Sequence, residues 1–204
     1  MLVTEYQLKI TFTDKLLGTV AYNKEVYSTF VQAKAREVGV PEEQLAEEVL
    51  DVKNIEEKGW TGFFQDETGI YISSHMVKGF LKNASLVIKD QTKVKNAKSK
   101  VNNFAFIKEK KLYLMRDNEV LKKADGVLER PLQAMTMQGP RVSLAKSDYV
   151  DEGTCVVCTL RLLQNPEISE KLIREFLDYG QFLGLGQWRN SGKGQFEYEL
   201  TKLS

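Results

Sequence analysis

The sequence predicts an α+β chain, with an antiparallel sheet, helices on one face of it, and loops or a hairpin inserted between its halves. Three observations carry this. Tyr6 to Phe12 alternates apolar and polar residues and reads as a half-buried strand, and Thr154 to Leu163 is a second, longer strand of β-branched and apolar residues. Pro166 to Phe182 places Ile168, Leu172, Ile173, Phe176, Leu177 and Tyr179 on one broad helical face. A glycine-rich loop and a last alternating segment, Gln195 to Leu200, follow that helix.

Between these landmarks, Val20 to Val38 has near-helical apolar spacing, and Pro41 to Leu50 reads as an acidic helix with proline in its first turn. Gly59 to Gly69 reads as a loop carrying Trp60, Phe63 and Phe64, an aromatic cluster suited to packing. Ile70 to Ile72 is a short strand. Ser73 or Ser74 then caps a helix running from His75 to Ile88, with Met76, Phe80, Leu81, Ala84 and Ile88 apolar. Lys89 to Asn103 is polar, lysine-rich and without aromatics, and reads as a mobile arm. Phe104 to Ile107 and Lys111 to Met115 read as a hairpin, Val120 to Pro140 as irregular, and Arg141 to Tyr149 as a strand. Two β-α-β halves around an antiparallel sheet give a ferredoxin-like arrangement.

Composition sets the class of partner. Net charge is +1 over 204 residues, so the chain as a whole is no basic polyanion binder. The charge is uneven, however. Glu37 to Glu57 holds eight acids against Lys53, and Lys89 to Lys111 holds eight lysines against Asp90 and Glu109. A local basic face captures nucleic acid even when the total is neutral, and opposed patches suit head-to-tail contacts between copies. No apolar run approaches the ~20 residues needed to span a bilayer, and the first residues lack a signal-peptide pattern; the expectation is a cytoplasmic protein with no membrane partner. Cys155 and Cys158 form C-x-x-C inside a strand, where residues three apart face opposite ways; they read as core thiols, with no metal and no cofactor expected.

The densest chemical signal is Gly184 to Phe196, GLGQWRNSGKGQF. Glycines let backbone approach a ligand, Arg189 and Lys193 meet phosphates, and Trp188 stacks on a base or packs on a neighbour. The Walker and Rossmann loops run from strand to helix, and this one runs from helix to strand, so a nucleotide cofactor is not indicated.

Two segments together resemble the RAMP superfamily, which includes backbone subunits of CRISPR effector complexes. Gly69 to Ala84, GIYISSHMVKGFLKNA, is similar to that superfamily's serine-rich helix start, and Gly184 to Phe196 is similar to its glycine-rich loop. Leu128 to Leu163, in which Arg130 and Pro131 precede a strand, looks like the intervening region. The resemblance implies a ferredoxin-like or RRM-like core over residues 1–204, with a lysine-rich insertion around 89–150. It implies contact with single-stranded RNA or DNA through Ser73, Ser74, Lys78 and Lys82 on the first motif and Gly184, Gly186, Arg189, Gly192 and Gly194 on the second.

To these the residues themselves add Trp188, Lys193 and the lysine arm with Lys93, Lys95, Lys98 and Lys100. The expectation is one groove made by loop, helix start and arm, in a non-catalytic protein that assembles side by side as a homo-oligomer or in a multi-subunit complex. A phage or mobile-element relative fits the same pattern. Two alternatives stand beside it: a metal-independent endoribonuclease using His75, the sole histidine, and a protein-binding module that mimics a RAMP subunit.

Overall fold

The computed structural model describes residues 2–21, 60–136 and 139–203. The helices expected after Ala21, through Val38 and from Pro41 to Leu50, lie outside the described residues.

The main sheet is built on β1 (Val3–Phe12). Its buried residues Tyr6, Leu8, Ile10 and Phe12 repeat every second position, so one face enters the core. On one side β1 pairs antiparallel with β13 (Cys155–Leu163), Leu8 opposite Cys158. On the other it pairs antiparallel with β14 (Phe196–Lys202), Leu8 opposite Leu200. The far edge of β13 is shared by two short strands: β7 (Ala105–Ile107), with Leu160 opposite Ile107, and β9 (Met115–Arg116), with Cys155 opposite Met115. Between them Glu109 accepts from the Thr159 amide at 2.7 Å and the Thr159 hydroxyl at 2.8 Å, so the gap leaves no orphan donor there.

Helix α1 (Ser74–Val87) follows β1 and precedes β7, and helix α4 (Glu170–Leu183) joins β13 to β14. The order across the sheet, β14-β1-β13-β7, with one helix in each half, is the ferredoxin-like β-α-β-β-α-β arrangement. Both helices have side-chain caps. Ser73 accepts from the His75 amide at 3.3 Å and Ser169 from the Leu172 amide at 3.3 Å. Where they meet, Gly180 leaves room for two rings: a Cβ there would stand 2.3 Å from Phe196 and 2.6 Å from Phe80. Phe80 and Phe196 pack edge-to-face, 5.6 Å between centroids.

Two smaller sheets surround this core. β11 (Gly126–Thr136) and β12 (Gly139–Val150) form a long antiparallel hairpin, and β12 also pairs parallel with β4 (Trp60–Gly62) and antiparallel with β2 (Leu16–Leu17); β3 (Val20–Ala21) pairs with β4. β6 (Ile70–Ser73) lies between β5 (Phe64–Gln65) and β8 (Lys111–Tyr113), and β10 (Glu119–Val120) turns back on β9.

Five expectations are corrected here. Val20 and Ala21 begin no helix; they are a strand held by Gly62 and Thr61. Gly59 to Gly69 is no plain loop, because Trp60 and Phe64 sit in strands. Phe63 is buried, Phe64 stacks on Tyr71 at 5.4 Å, and Trp60 donates to Asp148 at 2.7 Å. The segments 104–107 and 111–115 make no hairpin with each other: β7 and β9 join β13, and β8 joins β6. The stretch taken as irregular contains β11, an edge strand that accommodates Pro131 because one side of it needs no ladder donor. The lysine-rich stretch is no extended arm; it folds as α2 (Lys89–Thr92) and α3 (Ala97–Phe104), with Ala97 and Val101 buried.

The cysteines divide between the faces of β13. Cys158 is core, where burial pushes its thiol up to about 12, and Cys155 is half-buried on the opposite face. The expectation of two core thiols therefore holds for Cys158 alone.

Candidate nucleic-acid interface

The glycine loop is closed on itself. The Leu185 amide donates to the Gly194 carbonyl and the Gly194 amide to the Lys15 carbonyl, at 2.8 and 2.9 Å. Gly184, Gly186, Gly192 and Gly194 all have φ between 73° and 83°, the left-handed region that glycine enters without penalty. A Cβ on Gly194 would stand 1.9 Å from the Leu185 carbonyl oxygen. These glycines first serve the loop's own closure. Trp188 also lies in the left-handed region, φ 53°, which is uncommon for a bulky residue and is found disproportionately at functional sites. It precedes a single 3₁₀ turn, Arg189–Ser191.

Residues sequence reasoning passed over complete the loop. Arg130, from β11, donates to the Ser191 hydroxyl at 2.8 Å, and its guanidinium lies 5.9 Å from the centre of the Trp188 ring. Arg189 is exposed and in no ion pair among the described residues. Lys193 is different: its ammonium is held by Asp14, 2.9 Å from Oδ1 and 3.2 Å from Oδ2. Burial alone would raise the Asp14 carboxyl, but the contacts with Lys193 and the Lys15 amide hold it below its usual value. Lys15 in turn pairs with Asp151 and lies over the Tyr149 ring at 3.8 Å. Among the described residues, the loop cations in no ion pair are therefore Arg130 and Arg189.

The first motif approaches the same region through the connection between β1 and β3. Gly186 rests on Leu16 and Leu17, while Thr19, two residues further on, contacts the Met76 sulfur at 3.7 Å in the first turn of α1. Ser73 is the N-cap, Ser74 opens the helix, and His75 is exposed with no side-chain hydrogen bond or ion pair among the described residues.

The remaining predicted residues are not gathered into the same groove. The Lys78 ammonium points along α1 into the C-terminal end of α3. It donates to the carbonyls of Val101 at 2.9 Å, Asn102 at 3.0 Å and Ala105, occupying acceptors a helix end leaves open. Burial pushes this amine down to about 8, and repulsion from Lys82 adds to the effect. Lys82 remains partly exposed and unpaired among the described residues. Lys100 pairs with Glu167. Lys93, Lys95 and Lys98 lie beside Ser85 and Leu86, in the last turn of α1, whereas Ser73 caps its first. At 1.5 Å per residue, that helix separates them by about 20 Å.

The open face of the main sheet offers little to a polyanion. Its rows carry Glu5, Glu197 and Glu199, with Lys9 paired to Glu199 at 3.1 Å and Arg161 to Glu5 at 2.7 Å. Phe106, at its β7 edge, is the aromatic this face presents among the described residues. A stacking platform of the kind that reads single strands across a sheet needs two or three such rings.

Strand order and helix placement thus define an α+β chain of ferredoxin-like class, in which Arg130 and Arg189 stand exposed at the glycine loop. No family model matches the chain, and no curated protein matches it. Among solved structures, a chain of the "Cryo-EM structure of the Type III-B Cmr-beta bound to cognate target RNA" aligns with a TM-score of 0.48 and 12% identity, over 98% of this chain. This chain spans 61% of the length of that one. Among the described residues no helix is long and apolar enough to cross a membrane, and no cluster of three or more His, Cys, Asp or Glu is arranged to hold a metal ion.

Proposed function

We propose that the chain is a non-catalytic binder of single-stranded nucleic acid, RNA or DNA, that works side by side with further copies or other subunits. One observation carries the reading. Arg130 lies against Trp188 and Ser191 of a glycine loop that also carries the exposed Arg189, and that loop shares the β1–β3 connection with the serine-capped start of α1. An aromatic ring beside two arginines supplies stacking and phosphate neutralisation without base-specific contacts. The sequence resemblance of both segments to RAMP proteins points the same way.

Titration of the full chain with labelled single-stranded RNA and DNA oligonucleotides at two salt concentrations tests this. Binding should weaken with salt, with a log–log slope of roughly 0.7 per phosphate contact, and Arg130→Glu and Arg189→Glu should each reduce both affinity and slope. Absence of binding at low salt overturns the proposal.

A further inference from the structure

We propose that the lysine-lined hollow at the C-terminal end of α1 is a separate anion site, suited to a group that carries several adjacent phosphates. The hollow, about 620 Å³, lies where α1, α2 and the start of α3 meet. Lys89, Lys93, Lys95 and Lys98 line it, and Asp90 is the one acid in its wall.

What distinguishes this cluster is that four lysines share one wall with a single acid. Lys9, Lys15, Lys100, Lys111, Lys146 and Lys193 each meet a carboxylate. None of the four lysines of the hollow meets one among the described residues. Four ammonium groups around one acid repel each other, and an entering anion relieves that repulsion. The backbone contributes too: Asn96 makes no side-chain cap for α3, so the amides of that helix's first turn stay open beside the lysines.

Ligand class follows from the count of charges. A single phosphodiester engages one or two ammonium groups. A triphosphate, a pyrophosphate or the phosphorylated end of a strand offers the density of charge that matches three net positive charges in one concave wall. The hollow is lined from the last turn of α1, whereas the glycine loop rests on the connection that meets Met76 in its first turn, and the inference does not depend on strand binding at that loop.

The test is calorimetric titration of the full chain with inorganic tripolyphosphate, pyrophosphate and orthophosphate at low salt. One equivalent should bind, tripolyphosphate tightest and orthophosphate weakest. Lys93→Glu/Lys98→Glu should weaken tripolyphosphate by about tenfold or more, and Arg189→Glu should leave it unchanged. The milder Lys93→Gln/Lys98→Gln pair, which changes only exposed side chains, repeats the loss if the reversal perturbs folding. Oligonucleotides bearing a 5′-triphosphate or a 5′-hydroxyl separate the two sources of such a group. A triphosphate advantage lost in the double variant assigns the hollow to a strand end; tripolyphosphate binding without that advantage assigns it to a free polyphosphate. Absent or unsaturable tripolyphosphate binding, or equal binding by wild type and double variant, overturns the inference. So does salt-sensitive self-association that the double variant abolishes without any phosphate response, which would place the acidic stretch between Glu37 and Glu57 of a second copy there instead.

Discussion

Lys193 and Asp14 are ion-paired across the foot of the glycine loop, 2.9 Å at the nearer carboxylate oxygen. The pair ties the loop to the chain leaving β1 and cancels the loop lysine's charge. Asp14→Asn keeps the side chain's shape and an acceptor while releasing that charge. Oligonucleotide affinity should rise a few-fold at low salt, and the salt slope should grow by about 0.7, one additional phosphate contact. Fluorescence anisotropy at several salt concentrations checks it; an unchanged slope would show that Lys193 stays out of the interface.

Gly194 and Leu185 make the tightest backbone approach in the loop. Gly194→Ala places a methyl group 1.9 Å from a carbonyl oxygen at φ 73°, so the loop must rearrange. The expected loss is about 3 kcal/mol or more of stability, read as a lowered urea midpoint. By contrast Gly79→Ala, on the exposed side of α1 with nothing within 4 Å of the new methyl, should be neutral or slightly stabilising.

Trp188 separates binding from folding. Trp188→Gly removes the ring over which Arg130 lies and relieves the left-handed backbone. Oligonucleotide binding should weaken by about 1–3 kcal/mol, the worth of one stacked base, while the thermal midpoint moves little. A large fall in the midpoint with affinity preserved would make the ring a packing element only.

Lys78 gives the opposite pattern. Its ammonium closes the end of α3, so Lys78→Met should cost about 1–3 kcal/mol of stability through the carbonyls left without a donor. Oligonucleotide affinity measured on the folded fraction should not change. Hydrogen exchange localised to Asn102–Ala105 would report the loosened helix end.

Asp66 sets an acid limit. Burial works to raise its carboxyl, but hydrogen bonds from Lys111, Tyr113 and the Gly69 and Thr68 amides outweigh it and hold the group at about 2. The folded value lies below the unfolded one, so the carboxylate's contribution is complete above about pH 4 and is lost as pH falls toward 2. Screening at this partly exposed site limits it to about 1 kcal/mol. Urea midpoints measured between pH 5 and pH 2 should fall more steeply for wild type than for Asp66→Asn.

Sequence reasoning reached the parts of the fold whose signal is local. β1, β13 and α4 each carry their full period within one segment, and Ser73 announces the start of α1 by its side chain. β11 escaped because its pairing with β12 supplies the order and Pro131 masks the pattern. The lysine stretch escaped because two apolar residues, Ala97 and Val101, suffice to seat α3 on its neighbours once tertiary contacts form. At the site, the loop and the helix start were legible as composition. Arg130 was not, since its contacts with Trp188 and Ser191 span some sixty positions of chain. The carbonyl partners of Lys78 were not legible either, because backbone acceptors leave no trace in residue type.

The position of β1 has a consequence for synthesis. Its partners are Cys155–Leu163 and Phe196–Lys202, so a nascent chain makes the centre of its sheet long before either flank exists. Until residues near 200 leave the ribosome, Tyr6, Leu8, Ile10 and Phe12 lack their finished surroundings, and loop-closure entropy makes the final pairing slow. Such a chain exposes an adhesive strand until its second half has been made, and its yield in cells should depend on chaperone supply more than its equilibrium stability suggests.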